Sequence, residues 1–327
     1  MMPGKRPNSP SAIMHGAPLS SPVFSAGWTT RCTMPLNGRC TPNLLHRAKR
    51  RGSMPVMATG VHKDACKEEV GVAEIDWNRL TAEALRSLAE RNAIILLPVA
   101  STEQHGPHLP TGVDDILVTE VCRRTARSMP EHVPAVVAPT VWCGLADHHL
   151  AFGGTFTLSL ATYHTLLRDL CRSILGAGFR RVVIVNGHGG NIQGLAAIAV
   201  ELTRELAAPI ATATYFMEAA SEAARILEDQ EGVMHACEAE TSMMMAVQPD
   251  LVQISRLSEA HGPAFNITSS LLPTLKRFTS FDELTPSGVA GDARRASAAK
   301  GEALLDACAR NLARRLGAGE PWGNAAA

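Results

Sequence analysis

The chain has 327 residues, 46% of them apolar and 19% charged, which describes a globular protein with ample material for a core. Its 31 basic and 31 acidic residues balance, but residues 1–58 hold eight Lys/Arg and no acid, so 59–327 carry 23 basic against 31 acidic side chains, a formal charge of −8. That acidic balance argues against nucleic acid as a partner, and no apolar run approaches the length of a membrane span.

Residues 1–58, basic and rich in Ser and Pro, have the composition of an organelle transit peptide or a disordered N-terminal segment. Val56-Met57-Ala58 reads as a stromal processing site, so chloroplast is the expected location and mitochondrion the alternative. Residues 59–327 are the expected folded domain, with a core at about 72–318. An amphipathic stretch from Ile75 to Ala89 ends in a helix. Ala93 to Val99 is a continuous apolar strand, followed by the Gly/Pro-punctuated loop Ser101 to Val113. Helical spacing predicts Ile116 to Ser128, and β-branched residues predict a strand from Ala135 to Trp142. A helix from Thr162 to Leu175 closes on Gly176 and Gly178, before a strand from Arg181 to Val185. Then come a helix from Ile192 to Leu206, a strand from Ile210 to Phe216, a short buried helix from Thr241 to Val247, and a long helix from Ser297 to Leu316. Continuous apolar strands alternating with helices predict an α/β domain around a mostly parallel sheet covered on both faces. The eight cysteines form no C-x-x-C pair and read as reduced thiols.

In such sheets ligands bind beyond the carboxyl ends of the strands. The loop carrying Glu103 and His105 follows the first strand directly, and the loop Asn186-Gly-His188-Gly-Gly-Asn191 follows the third. Carboxylates and imidazoles are the ligands of zinc, manganese and iron(II), and two such ions together activate water. Glu103 and His105, two apart on extended chain, project from one face. Asp114 follows a Pro-Thr-Gly turn that folds back towards them, and its two oxygens suit it to bridge two ions. Glu240, close to an apolar helical run, reads as a further ligand, whereas Glu238 reads as a helix-start acid serving the macrodipole. His235 reads as the acid/base group. His149 is assigned to the pocket wall and His108 to orienting a ligand from behind. The glycines around His188 let backbone N–H groups near Gly189 approach an oxyanion. A dinucleotide loop would need glycine at 192, where the chain has Ile192, and HExxH, GxSxG and P-loop motifs are absent.

These motifs resemble the creatininase family, the creatinine amidohydrolases and their relatives. The resemblance rests on Leu97 to Asp114, His149-Leu-Ala-Phe-Gly-Gly-Thr155, Asn186 to Asn191, His235-Ala-Cys-Glu-Ala-Glu240-Thr-Ser242 and Ser287 to Asp292, in that order. It implies a three-layer α/β/α domain, a pair of divalent ions (Zn, Mn or Fe), hydrolysis of a non-peptide C–N bond in a small molecule, and a homo-oligomer, often a hexamer. It further implies that Glu103, Asp114 and His188 hold one ion, and that His105, Asp114 and a further carboxylate hold the other. Creatinine-hydrolysing members carry a glutamate ligand where this chain has Gly190, so Glu240 is expected to supply it, as in the Gly-Gly branch. The tryptophans that close their pocket are missing here, and Met234 replaces a glutamate before the catalytic histidine, which makes a substrate other than creatinine the expectation. Asn191 is placed with His149 and Gly189 around the substrate or directly behind the residues that meet it. The alternative is a catalytically silent metal- or ligand-binding protein on the same scaffold.

Overall fold

The computed structural model describes residues 74–228, 230–264, 275 and 277–323. The expected transit segment, its processing site and residues 59–73 lie outside the described residues. Four strands, β1 (Ile94–Val99), β2 (Ala135–Val137), β3 (Arg181–Asn186) and β4 (Ile210–Thr214), form one sheet in the order β2-β1-β3-β4, with every pairing parallel. Eight helices accompany them among the described residues: α1 (Ala82–Glu90), α2 (Val113–Arg127), α3 (Leu160–Gly176), α4 (Asn191–Leu206), α5 (Ala220–Ile226), α6 (Glu238–Val247), α7 (Phe281–Leu284) and α8 (Ala298–Gly317). None of the described helices is long and apolar enough to cross a membrane.

Strand alternation sorts the core into two layers. Ile94, Leu96, Val183 and Val185 pack on one face with Leu117 and Val121 of α2, Met243 of α6 and Leu305 of α8. Ile95, Leu97, Val182 and Ile184 pack on the other with Leu167 and Cys171 of α3 and Leu195 and Leu202 of α4. This is the expected three-layer α/β/α arrangement, and it explains why β1 is apolar at every position: both faces are covered.

Two predicted strands are shorter than expected. Pro139 has no N–H to give a ladder, so β2 stops at Val137, and Val141 returns only as a single bridge to Val99. β4 stops at Thr214 because Tyr215 and Phe216 turn into a 3-10 helix that buries both rings. Three helices begin earlier than their apolar periodicity, at Val113, Asn191 and Glu238, which places Asp114 and Glu240 on first helical turns and not in loops. Pairing of Val99 with Asn186 brings the carboxyl ends of β1 and β3 together, and Gly187 N–H donates to Val99 O at 2.8 Å.

Candidate metal centre

The loop after β1 closes on itself: Glu103 N–H donates to Thr111 O at 3.0 Å, which swings α2 back so that Asp114 faces Glu103 and His105. The loop after β3 is tied by Asn186, whose Oδ1 accepts from His188 N–H at 3.1 Å and whose Nδ2 donates to His188 O at 2.8 Å. Its ends are also fixed by Asn191, which accepts from Leu145 N–H and donates to Ala100 O. Asn191 is fully buried and serves these loops; it does not line the cavity, which places it behind the site and not against a substrate. At the start of α6, Ala236, at φ +51°, donates its N–H to Glu240 Oε2 at 2.5 Å and aims that carboxylate inward.

Five side chains meet where these segments converge. His188 Nδ1 lies 3.1 Å from Glu103 Oε2 and 3.2 Å from Asp114 Oδ2. His105 Nε2 lies 3.3 Å from Asp114 Oδ1 and 3.9 Å from Glu240 Oε2. The rear nitrogens decide what these contacts are. His188 Nε2 sits 3.1 Å from Leu145 O and His105 Nδ1 sits 3.1 Å from Glu103 O; a carbonyl oxygen only accepts, so each rear nitrogen carries a hydrogen and the front nitrogen is the one that offers a lone pair once its proton is displaced. Front nitrogens of imidazole and carboxylate oxygens therefore face one another in a buried space. Glu103 Oε2, His105 Nε2 and Asp114 Oδ2 are buried without a hydrogen-bond partner, a costly state that a cation relieves. The residues fit a divalent ion of the kind that accepts mixed N/O ligands. Two other groupings of donors with the spacing of a metal site, Glu103/His149/His235 and His105/His235/Glu240, adjoin this one.

The electrostatics agree. Burial pushes His105 down, but the Asp114 carboxylate, with Glu240 and Glu103, reverses this and holds it at about 9. Burial likewise opposes a charge on His188, and Glu103 and Asp114 overcome it, raising it well above its ordinary value. Burial raises Asp114, yet its contacts with His105 and His188 bring it far below the usual carboxylate range, whereas burial pushes Glu240 up to about 7. The site attracts positive charge to the places where the lone pairs meet. His235 differs: burial and the nearby His105 keep it neutral, with Nε2–H donating to Gln104 O at 2.8 Å and Nδ1 facing Glu103 Oε1 at 3.6 Å.

A cavity of about 600 Å³ opens on this cluster. Glu103, Asp114, His188 and His235 stand in its polar wall, and Gly189, Phe216, Phe278 and Phe281 are among its other lining residues. His149 lines it as expected, but is more intimate than a wall residue, with Nε2 3.3 Å from Glu103 Oε1. His108 is fully buried and its Nε2 meets Thr241 Oγ1 at 2.7 Å, next to Glu240. Gly190 has no positive φ; it is required for space, since a Cβ there would collide with His188 Nε2 and Leu145 O. Glu238 corrects its expectation. It is fully buried and pairs with Lys300 Nζ at 2.5 Å, so it anchors α6 to α8 in addition to standing in the first turn of its helix. Gln104, which sequence reasoning passed over, touches both His149 and His235; its only signal was its place between Glu103 and His105.

The family model for creatininase, described as creatinine amidohydrolase, matches residues 78–316. The chain belongs to the creatininase family. As a creatininase-family hydrolase it is 32% identical over 229 residues to the mycofactocin precursor peptide peptidase of Mycobacterium ulcerans, covering 67% of this chain and 84% of that protein. It is 29% identical over 265 residues to the creatinine amidohydrolase of Pseudomonas putida, covering 75% of this chain and 95% of that one. A solved structure described as creatininase with Mn superposes with a TM-score of 0.67 at 26% identity, covering 76% of this chain and all of that one. A creatininase variant described as Zn-Zn type does so with a TM-score of 0.65, again at 26% identity and with the same coverage.

Proposed function

We propose that this creatininase-family hydrolase cleaves a non-peptide C–N bond, in a cyclic amide or a formamide, at a centre of two divalent cations. The observation that carries the reading is the ring of front-facing lone pairs on Glu103, His105, Asp114, His188 and Glu240, with both histidines locked from behind by backbone carbonyls. Glu103, Asp114 and His188 would hold one cation, and His105, Asp114 and Glu240 the other; Asp114 belongs to both sets, with Oδ2 3.2 Å from His188 Nδ1 and Oδ1 3.3 Å from His105 Nε2. Divalent ions held there supply Lewis acidity and bring the pKa of water down towards about 7. The manganese and zinc forms of related structures support either metal.

His235 is neutral in its buried setting and lines the cavity with Nδ1 directed to the cluster, the state needed to accept a proton from water. The water oxygen bonds to the carbonyl carbon, the C–N bond breaks, and His235 delivers the proton to the departing nitrogen. Backbone N–H at Gly189, on the cavity wall, steadies the negative oxygen.

The cavity also speaks to the substrate. About 600 Å³ falls in the range of pockets that enclose molecules larger than a single small ring. Phe216, Met234, Phe278 and Leu284 give it apolar walls, and Arg277 stands at its rim. A substrate with an apolar or aromatic part beside its scissile amide fits this lining better than creatinine itself. A peptide amide is the second reading, favoured by the likeness to a precursor peptide peptidase. The test is release of amine or formate by the manganese- or zinc-loaded protein from creatinine, formamidopyrimidines, other cyclic amides and short peptides. Turnover of a cyclic amide or formamide above creatinine is expected. Cleavage of peptides alone overturns the assignment of bond type.

A further inference from the structure

We infer that Gln104 fixes His149 as an N–H donor that clamps the outer oxygen of Glu103, so that His149 positions a ligand and is not one. The amide of Gln104 can point only one way. Gly106 N–H donates to its Oε1 at 2.9 Å, and its Nε2 donates to Gly288 O at 3.1 Å; turning the amide over would oppose N–H to N–H and oxygen to oxygen. The backbone presses the amide into this place: Gly288 has φ +72°, and a Cβ there would run into Gln104 Oε1.

One amide hydrogen goes to Gly288 O, leaving one for two imidazoles, each 3.0 Å from Nε2. His235 Nε2 also lies 2.8 Å from the Gln104 carbonyl oxygen, which only accepts, so that nitrogen carries its own hydrogen and cannot take another. The remaining amide hydrogen therefore goes to His149 Nδ1. A neutral ring that accepts at Nδ1 carries its hydrogen at Nε2, and His149 Nε2 points at Glu103 Oε1 from 3.3 Å. This differs from His105 and His188, whose rear nitrogens donate to backbone carbonyls and whose front nitrogens face the cluster.

The consequence falls on Glu103. With His149 Nε2 against Oε1, Oε2 is the oxygen turned to the point shared with Asp114 and His188, which favours binding of the carboxylate through one oxygen. The tautomer follows from hydrogen bonds alone; only its bearing on catalysis rests on the two-cation reading.

The experiment uses the full chain labelled with ¹⁵N-histidine, comparing ring-nitrogen correlation spectra of the metal-free protein with metal content and turnover of the loaded one. His149 is expected as the Nε2–H tautomer. Gln104→Glu replaces the amide donor by an acceptor and should convert His149 to Nδ1–H. His149→Gln, which keeps an N–H donor, should retain both cations and turn over faster than His149→Phe. His149→Phe should retain both cations while metal affinity falls about 10–100-fold, the usual effect of losing a group that orients a ligand. A wild-type spectrum showing Nδ1–H on His149, or loss of one cation per chain in both His149 variants, overturns the inference. An Nε2–H tautomer in a protein that binds no cation upholds it and sinks the two-cation reading instead.

Discussion

His188 Nδ1 lies 3.2 Å from Asp114 Oδ2 while the far side of the same ring donates Nε2–H to Leu145 O at 3.1 Å. An imidazole nitrogen and a carboxylate oxygen are thus held face to face by contacts that neither can escape without breaking another. Asn186 and Asn191 brace the loops from behind, so the arrangement belongs to the fold and not to chance rotamers. Orientation by such outer partners is what makes a metal site selective and rigid.

His235 separates proton transfer from cation binding. His235→Ala should keep the cation content of the native protein and slow turnover by about 10²–10⁴-fold. Steady-state kinetics on metal-analysed protein checks this, and full activity in the variant removes His235 from the reaction.

Cation affinity should rise with pH. His105, held at about 9 by Asp114 and its neighbours against the pull of burial, keeps a proton below that pH, and a cation at Nε2 must displace it. Below the value of about 7 set by burial of Glu240, a second proton must leave as well. Each displaced proton lowers affinity by about tenfold per pH unit. Titration with manganese or zinc across the neutral range should therefore show affinity falling most steeply on the acid side. A flat profile contradicts the ligand roles of His105 and Glu240.

The two middle glycines of the loop after β3 should behave differently. Gly190→Ala puts a Cβ against His188 Nε2 and Leu145 O, and overpacking of this kind costs about 1–3 kcal/mol. Gly189→Ala meets nothing within 4 Å and should leave stability unchanged. Chemical denaturation of the two variants compares them directly, and cation affinity should fall in the first.

Lys300 and Glu238 give a stability prediction away from the cluster. Lys300→Ala leaves a fully buried carboxylate with, among the described residues, the Glu228 N–H at 3.1 Å, and breaking such a pair costs about 3–5 kcal/mol. Removing both charges together, as Glu238→Gln with Lys300→Met, should cost much less. A double-variant loss equal to the sum of the Glu238→Gln and Lys300→Met single losses would show that the pair is not coupled.

The sheet was legible because β1 and β3 are continuous apolar runs ending directly in polar, glycine-rich loops; periodicity and topology point to the same edge. The lone-pair donors were legible for the same reason, each standing at a strand end or helix start. What periodicity could not show is which nitrogen of a histidine faces inward, since backbone carbonyls of Leu145 and Glu103 and the side chain of Gln104 decide that only after folding. Glu238 stands in the first helical turn as expected, but its pairing was hidden because Lys300 lies 62 residues away on α8, beyond any local pattern. The strand over 135–142 was overextended because β-branched composition outweighed Pro139, whose missing N–H ends the ladder.

The most direct measurement is the number of divalent cations bound per chain in the native protein and in Asp114→Asn, by elemental analysis after equilibration with manganese or zinc. Two per native chain, with loss of cations when the shared carboxylate becomes an amide, is the result expected from side chains that converge on two adjoining points. A native chain that binds none, or an Asp114→Asn protein that retains both, contradicts it.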